Sequence, residues 1–168
     1  MIGCLILIVI MVIILMTIYL SVNIPKDSEI FTVSKGHYLL KTVTALLRKH
    51  NIKTWMDAGT LLGVIRDGEL ISNDTDVDIS TYYTNQSKLS EIADDVQLLK
   101  TINLQCWRNQ KDMVSFNVIG DRNSYIDVYL MKWKPKFVTK KFKNYVYNIP
   151  KDPETYLEIL YGDWKVPR

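Results

Sequence analysis

The chain has few of the residues that build thiol, imidazole or disulfide chemistry. Its 168 residues include two cysteines and two histidines. Cys4 lies in an apolar segment and Cys106 is alone in the remainder, so no disulfide can form within the polar part of the chain. His37 and His50 would need carboxylate partners to complete a structural zinc site. Both fall in a stretch with helical spacing, which favours helix-surface positions over a Ser-His-Asp triad.

Charge is missing from residues 1–25, which contain no Asp, Glu, Lys or Arg. The apolar run Ile2–Val22 would span roughly 31 Å at about 1.5 Å per residue, enough to cross a bilayer. A basic start is absent and bulky Tyr19 precedes Ser21, which disfavours a cleaved signal peptide. We therefore expect a transmembrane signal anchor at 1–23, a linker at 24–33 and one domain at 34–168.

Hydrophobic periodicity in the domain alternates between helix and strand. A final helix is predicted after Asp152, with Pro153 at its first position. The other predicted helices are Ser34–Asn51, Thr60–Ile65 (starting behind Gly59) and Gln86–Lys100, and the predicted strands are Lys53–Asp57, Val77–Thr81, Thr101–Trp107, Met113–Ile119 and Tyr125–Trp133. This order predicts an α+β fold in which helices cover a mixed β-sheet.

Acidic residues mark the most informative stretch. Asp76 and Asp78 alternate on a predicted strand, so their side chains share one face, about 6–7 Å apart along the chain. Two such carboxylates repel each other unless a cation lies between them, and Mg²⁺ prefers oxygen ligands. Asp-rich stretches are usually solvated turns. However, Asp127 lies inside an aromatic strand, where an unpaired charge would cost several kcal/mol. Together the three acids predict a two-cation site.

Glycine supplies a second element of the predicted site. Gly59 and Thr60 stand where a strand turns into a helix. A missing side chain at Gly59 would let backbone N–H groups approach a phosphate, and the helix N-terminus would add a favourable field. Most glycines at such junctions serve only the turn. The combination of Gly59 with Asp76, Asp78 and a later strand-borne acid is more specific.

These motifs resemble a known family. The run Gly59–Gly63 with Arg66, followed by the Asp-rich strand, is similar to the LicD family, which includes the fukutin-type proteins and belongs to the nucleotidyltransferase-fold superfamily. The closing run Tyr161–Trp164 with Pro167 is similar to the family's final signature. One departure is the run Asn73–Asp76, where the family usually has Trp followed by three Asp. Thr75 within this run removes a carboxylate, though not one assigned to metal.

The resemblance implies a metal-dependent transferase with the nucleotidyltransferase fold. Such proteins move a phospho-alcohol group, such as phosphocholine or ribitol phosphate, from a CDP-alcohol or other nucleotide diphosphate donor to a glycan hydroxyl. One alternative is a nucleotidyltransferase acting on a nucleic acid or protein hydroxyl. Another is a catalytically silent membrane protein that binds glycan or nucleotide.

The superfamily pattern assigns roles to six residues of this chain. Asp76 and Asp78 would bind the Mg²⁺ or Mn²⁺ ion that bridges the donor phosphates. Asp127 would help to hold a second cation or act as the base for the acceptor hydroxyl. Gly59 and Thr60 would cradle the diphosphate. Arg66 is equally compatible with stabilising charge on the donor and with a plain helix-surface position.

A lysine-rich segment near the end of the chain bears on the partners of the domain. Six lysines between Lys132 and Lys143 form either a solvated face or a site that attracts an anionic glycan or acidic lipid headgroups. The net charge of +3 and the membrane tether disfavour nucleic acid as a partner.

The cellular location of the domain is predicted from two opposing signals. Lysines after the apolar segment favour a cytosolic domain, whereas the resemblance implies a domain in the lumen of the ER or Golgi. We expect the lumenal location. Of two glycosylation patterns, Asn85 is the expected acceptor, and Asn73, beside the acids, is expected to be bare.

Overall fold

The computed structural model of the protein describes residues 32–166. The predicted transmembrane anchor at 1–23, most of the linker, and Pro167 lie outside the described residues. Within 32–166, no helix is both long enough and apolar enough to pass through a bilayer.

Helices and strands follow one another along the described residues, as the hydrophobic pattern predicts. The α-helices are α1 (Val33–Lys49), α2 (Ala58–Arg66), α3 (Gln86–Asp94), α4 (Val96–Thr101) and α5 (Pro153–Tyr161). The strands are β1 (Thr54–Met56), β2 (Asp76–Tyr82), β3 (Leu104–Gln110), β4 (Met113–Val118), β5 (Tyr125–Met131), β6 (Phe137–Phe142) and β7 (Tyr145–Pro150). One turn of 3₁₀-helix, Tyr83–Asn85, joins β2 to α3.

Five of the strands form one sheet in the order β1-β2-β5-β4-β3. Strands β2 and β5 are parallel, and the other neighbours are antiparallel. The prediction of an α+β fold with a mixed sheet is therefore confirmed. Because the parallel pair lies inside the sheet, the centre of both strands is buried, and residues brought together there are held by neighbours on both sides.

Helix α1 covers one face of the sheet. Its first turn is capped by Thr32, whose side chain accepts a hydrogen bond from the Lys35 N–H at 3.3 Å. Its apolar side, including Leu39, Val43 and Leu47, is completely buried. This side joins one continuous core with apolar residues of the sheet such as Phe116, Ile126 and Val128. The recurrence of leucines at helical spacing thus identifies the buried side correctly.

The predicted helix Gln86–Lys100 is wrong in its continuity, because the structure divides it at Asp95. This residue ends α3, and its carboxylate caps α4 by accepting the Leu98 N–H at 2.9 Å. Aspartate binds free N–H groups better at a helix start than inside a helix, which explains the break. The following strand begins at Leu104 instead of Thr101, since Asn103 turns the chain at φ 55°.

A second sheet was not predicted. The hairpin β6–β7 pairs Phe142 with Tyr145 across a two-residue turn, in which Lys143 has φ 51°. Part of the lysine-rich segment is therefore strand. Its aromatic residues are packed: the Phe137 ring lies 4.8 Å from the Trp55 ring. Lysines between these residues conceal the pattern of a strand, because their stems cover apolar surface while their charges remain in water.

Candidate active site

Two neighbouring strands carry the acids predicted as metal ligands. The parallel register of β2 and β5 places Asp78 opposite Asp127. Asp76 precedes Asp78 by two residues, so both side chains project from the same face of the sheet. Asp78 and Asp127 are 6% and 4% exposed. The structure thus brings three buried or half-buried acids to one face, although they come from distant parts of the chain.

Asp74 adds a fourth carboxylate to this group. It lies in the loop before β2 and shares a hydrogen bond with the Asp76 side chain. Its negative charge also contributes to raising the pKa of Asp78. No role for Asp74 was predicted from the sequence. The available signal was its spacing, because Asp74, Asp76 and Asp78 occupy alternate positions of an extended segment.

Burial raises the pKa values of three carboxylates at this face. Burial raises the pKa of Asp76 to about 8, supported by its bond to Asp74 and by the nearby negative charges. Burial also raises the pKa of Asp78 to about 7, against the opposing effect of the Gly59 N–H. The pKa of Asp127 is raised by burial too, although bonds to Ser115 and Tyr129 favour its charged form. These carboxyl groups therefore hold protons more readily than free aspartate does, unless a cation offsets their charge.

Helix α2 begins directly beside these acids. The Gly59 N–H donates to Asp78 Oδ2 at 2.9 Å, and the Asp78 N–H donates to Thr60 Oγ1 at 2.8 Å. The predicted start at Thr60 is two residues late, because Asp57 caps the helix and accepts the Ala58 N–H at 2.8 Å. Ala58 adopts φ 40°, a left-handed conformation that is uncommon for alanine and makes this junction sharp.

The structure shows a local reason for the absence of a side chain at Gly59. A Cβ atom there would lie 2.8 Å from Asp74 Oδ2 and 3.1 Å from Asp78 Oδ2. Real Cβ atoms do not approach oxygen so closely without displacing it. The space left by Gly59 therefore admits two carboxylates to the start of α2. Thr60 is 3% exposed, and its hydroxyl oxygen holds β2 against the start of α2 by accepting the Asp78 N–H.

Asp57 connects three elements at the edge of the site. Its Oδ2 accepts the Ser80 hydroxyl at 2.5 Å, and its Oδ1 accepts the Tyr156 hydroxyl at 2.6 Å. Its backbone N–H donates to the Asp78 carbonyl at 3.2 Å. This buried residue ties α2 and β2 to α5. This network was not predicted from the sequence, because its members are far apart in the chain.

Arg66 lies at the opposite end of α2 from Gly59. Its guanidinium forms two hydrogen bonds to Asp67, at 2.9 and 2.7 Å. With Asn73, Tyr161 and Trp164 it lines a cavity of about 400 Å³. Burial and the charges of the acids, Asp78 first, raise the pKa of Tyr161 to about 12. Asn73, on the same cavity, is next to Asp74 in the chain. Arg66 thus lines a cavity that reaches the segment before β2, and it is paired with its chain neighbour.

The acids suit a cation that arrives with phosphate. Within residues 32–166, no three or more His, Cys, Asp or Glu side chains form a complete metal site. In the same range, no ion pair joins Asp76 or Asp78 to a basic side chain. Mg²⁺ commonly binds through one or two carboxylates, with substrate phosphates and waters as the other ligands. Asp76 and Asp78 offer carboxylate oxygens of this kind, so they fit binding of Mg²⁺ together with a phosphate-bearing substrate.

Comparison with known proteins identifies the family. The model of the LicD/FKTN/FKRP nucleotidyltransferase domain matches residues 51–158, which contain the acids, Gly59 and Arg66. The chain belongs to this family. The resemblance inferred from the motifs is therefore confirmed. The LicD-family match ends before Tyr161, so the closing run Tyr161–Trp164 lies beyond it.

Two relatives in Rickettsia match a large part of the chain. The uncharacterized protein RP689 of Rickettsia prowazekii is 30% identical over 146 residues, covering 76% of this chain and 54% of that protein. The uncharacterized protein RT0683 of Rickettsia typhi is 29% identical over 110 residues, covering 65% of this chain and 33% of that protein. The LicD-family chain thus spans about half and about a third of the length of these relatives.

The fold matches that of a solved transferase. The lincomycin-bound lincosamide antibiotic adenylyltransferase LnuA superposes with a TM-score of 0.52 at 13% identity, covering 77% of this chain and 87% of that one. This likeness shows the nucleotidyltransferase fold. Family and fold together support a transferase of the phosphotransferase or nucleotidyltransferase kind.

Proposed function

We propose that this LicD-family domain transfers a phospho-alcohol group, of the phosphocholine or ribitol-phosphate kind, from a nucleotide diphosphate donor to a glycan hydroxyl. One observation carries the proposal: Asp76, Asp78 and Asp127 share one face of the sheet, beside the N-terminus of α2. Carboxylates gathered in this way repel a phosphate unless a divalent cation accompanies it. Mg²⁺ or Mn²⁺ held by Asp76 and Asp78 would supply that neutralisation.

The acceptor hydroxyl needs a base at the same face. Asp127 is suited to this role because the Ser115 hydroxyl donates to its Oδ1 at 2.5 Å and orients the carboxylate. The hydroxyl oxygen would attack the phosphorus that carries the alcohol, and its proton would pass to Asp127. The bond from that phosphorus to the bridging oxygen would break, and nucleoside monophosphate would leave with the bonding electrons.

The start of α2 would position the donor. Gly59 and Thr60 stand at the helix N-terminus, where the helix field favours a phosphate group. The cavity lined by Arg66, Asn73 and Tyr161 would receive the remainder of the donor. In this arrangement Arg66 would exchange its bond to Asp67 for one to the donor.

The products distinguish the candidate reactions. The purified full chain should release CMP from CDP-choline or CDP-ribitol when a glycan acceptor and Mg²⁺ or Mn²⁺ are present. Release of pyrophosphate from a nucleoside triphosphate would instead mark nucleotidyl transfer. Asp78→Asn should remove CMP release, whereas Asp112→Asn, at an exposed turn, should leave it unchanged. Binding of CDP-choline without any release would show a silent binding protein and refute the proposal.

The cellular setting is a separate proposal. A transmembrane anchor at 1–23 with the domain in the ER or Golgi lumen would place the site beside glycan acceptors. Glycosylation of Asn85 would test the lumenal orientation through a mobility shift after deglycosylation. In the structure Asn85 Nδ2 donates to Thr81 Oγ1 at 2.8 Å, so a glycan there would replace that bond.

A further inference from the structure

A second cavity lies at the N-terminal end of α5, where the loop between β5 and β6 meets the helix. Its volume is about 600 Å³. It is lined by aromatic and aliphatic side chains and by two lysines: Trp133, Tyr156 and Ile159, with Lys136 and Lys151. Neither the roles assigned above nor the family motifs use this cavity.

An exposed aromatic surface forms one wall. The rings of Trp133 and Tyr156 are stacked, with centroids 5.7 Å apart and planes within 7°. Trp133 remains 53% exposed and Ile159 is 78% exposed. A large indole held against a second ring, with its other face open, is a surface on which the apolar face of a sugar ring can stack.

Tyr156 connects this wall to the carboxylates. Its hydroxyl donates to Asp57 Oδ1 at 2.6 Å, and the Asp57 backbone N–H donates to the Asp78 carbonyl at 3.2 Å. Two hydrogen bonds therefore separate the stacked rings from β2. A ring bound against Trp133 would thus be linked through Tyr156 and Asp57 to the strand that carries Asp76 and Asp78.

The arrangement of the two cavities assigns this one to the acceptor. Attacking and departing oxygens must lie roughly in line through the transferred phosphorus, so donor and acceptor approach from different sides. The cavity at the C-terminal end of α5 is lined by Arg66, at the end of α2, and by Asn73, next to Asp74 in the chain, and it is the cavity proposed above for the donor. The cavity with Trp133 lies at the other end of α5, so an acceptor bound there would approach from a different side.

Two lysines on the cavity indicate which kind of acceptor it would bind. Lys136 and Lys151 lie at exposed positions on the same wall, and the Lys151 N–H donates to the Lys136 carbonyl at 2.8 Å. The one carboxylate among the lining residues, that of Asp152, accepts the Thr155 hydroxyl and N–H. Two ammonium groups beside a stacking surface suit a sugar that bears a phosphate.

We propose that the cavity formed by Trp133, Tyr156, Lys136 and Lys151 binds a phosphorylated sugar unit of the acceptor. The inference rests on the proposed function, which it makes more specific. Trp133 would stack on the sugar ring, and the lysines would bind its phosphate.

Direct binding to the full chain tests this site. The probes are glucose 6-phosphate, glucose, inorganic phosphate and CMP, followed by saturation-transfer NMR. Glucose 6-phosphate should bind at least about 10-fold tighter than glucose or phosphate alone. Trp133→Ala should weaken its binding about 10-fold, Trp133→Phe should retain most of it, and Lys136→Gln with Lys151→Gln should reduce it to the level of glucose.

Matched controls lie away from the cavity. Trp107, which is 40% exposed on β3, and Lys141, exposed on β6, supply the corresponding Trp→Ala and Lys→Gln variants and should bind as the original chain does. Equal weakening in Trp107→Ala would refute the site. Competition between CMP and glucose 6-phosphate would also overturn it, because the cavity would then be the donor site.

Two further outcomes separate the proposals. Binding of glucose 6-phosphate that depends on Trp133, together with no CMP release from any CDP-alcohol, would refute the proposed function and leave the sugar-phosphate site supported. Shielding of Trp133 from acrylamide quenching by phosphatidylserine vesicles, with no shielding by glucose 6-phosphate, would show a lipid-binding surface and overturn the site.

Discussion

The two faces of β2 differ in chemistry although their residues alternate along one strand. Asp76, Asp78 and Ser80 face the carboxylate site, whereas Val77 and Ile79 are buried in the core under α1. Because side chains on a strand alternate between its faces, one short segment contributes both the acids of the site and part of the core. Replacing Asp78 should therefore impair activity, whereas replacing its neighbour Ile79 should impair stability.

The largest effect is expected at Asp78. Asparagine keeps the size of the side chain but removes the charge, so CMP release should fall by at least about 100-fold. Burial raises the pKa of Asp78 to about 7, so its charge destabilises the fold in more alkaline solution. In EDTA at about pH 8, Asp78→Asn should thus resist urea better than the original chain. Activity and stability that fall together would contradict the division between the two faces.

Ile79 should show the reverse pattern. It is 1% exposed on the core face, and Ile79→Ala should lower the free energy of unfolding by about 2–5 kcal/mol. CMP release per folded molecule should change little, because the acids stay in place. Ile119→Ala is the control, since Ile119 is 43% exposed and should lose much less stability. Urea unfolding followed by tryptophan fluorescence measures both variants.

Gly59→Ala should impair the site by crowding. The new Cβ would lie 2.8 Å from Asp74 Oδ2, and the displaced carboxylates should reduce CMP release by about 10- to 100-fold. Adding Asp74→Ala removes the closest oxygen. The double variant should therefore lose less activity than the product of the two single losses. If the losses of the two single variants simply multiply in the double variant, Gly59 is required for a reason other than its contact with Asp74.

The pH dependence of stability gives the smallest expected effect. The raised pKa values of Asp76 and Asp78, about 8 and about 7, exceed the unfolded value near 3.9. The folded chain therefore binds more protons between about pH 4 and 8, so its free energy of unfolding should fall as pH rises through that range. Asp76→Asn should flatten this slope in EDTA. Mg²⁺ should recover stability at the alkaline end, and an unchanged curve would argue against cation binding.

Local sequence patterns predict much of the fold and the centre of the site. Alternation in Asp76 and Asp78 indicates a shared face, and the aromatic neighbours of Asp127 indicate a strand-borne acid. Both placements agree with the structure. The buried side of α1 follows equally well, because helical spacing of leucines specifies it without reference to the remainder of the chain.

The features that were missed depend on contacts between distant segments. The bond from Tyr156 to Asp57 and the stack of Tyr156 on Trp133 leave no periodic trace in the sequence. The predicted continuous helix across Asp95 is wrong because the capping strength of one carboxylate outweighs helical periodicity there. The β6–β7 hairpin is concealed by lysines, whose charges suggest a loop even where the backbone is paired.

The parallel pairing of β2 with β5 also determines when the site can exist during synthesis. Antiparallel neighbours can join through a short turn, but a parallel pair requires a long excursion, here through α3, α4, β3 and β4. Asp76 and Asp78 leave the ribosome well before Asp127 is made. A nascent chain halted before Tyr125 would contain Asp76 and Asp78 but neither Asp127 nor the partner strand, so the active site would form only late in translation.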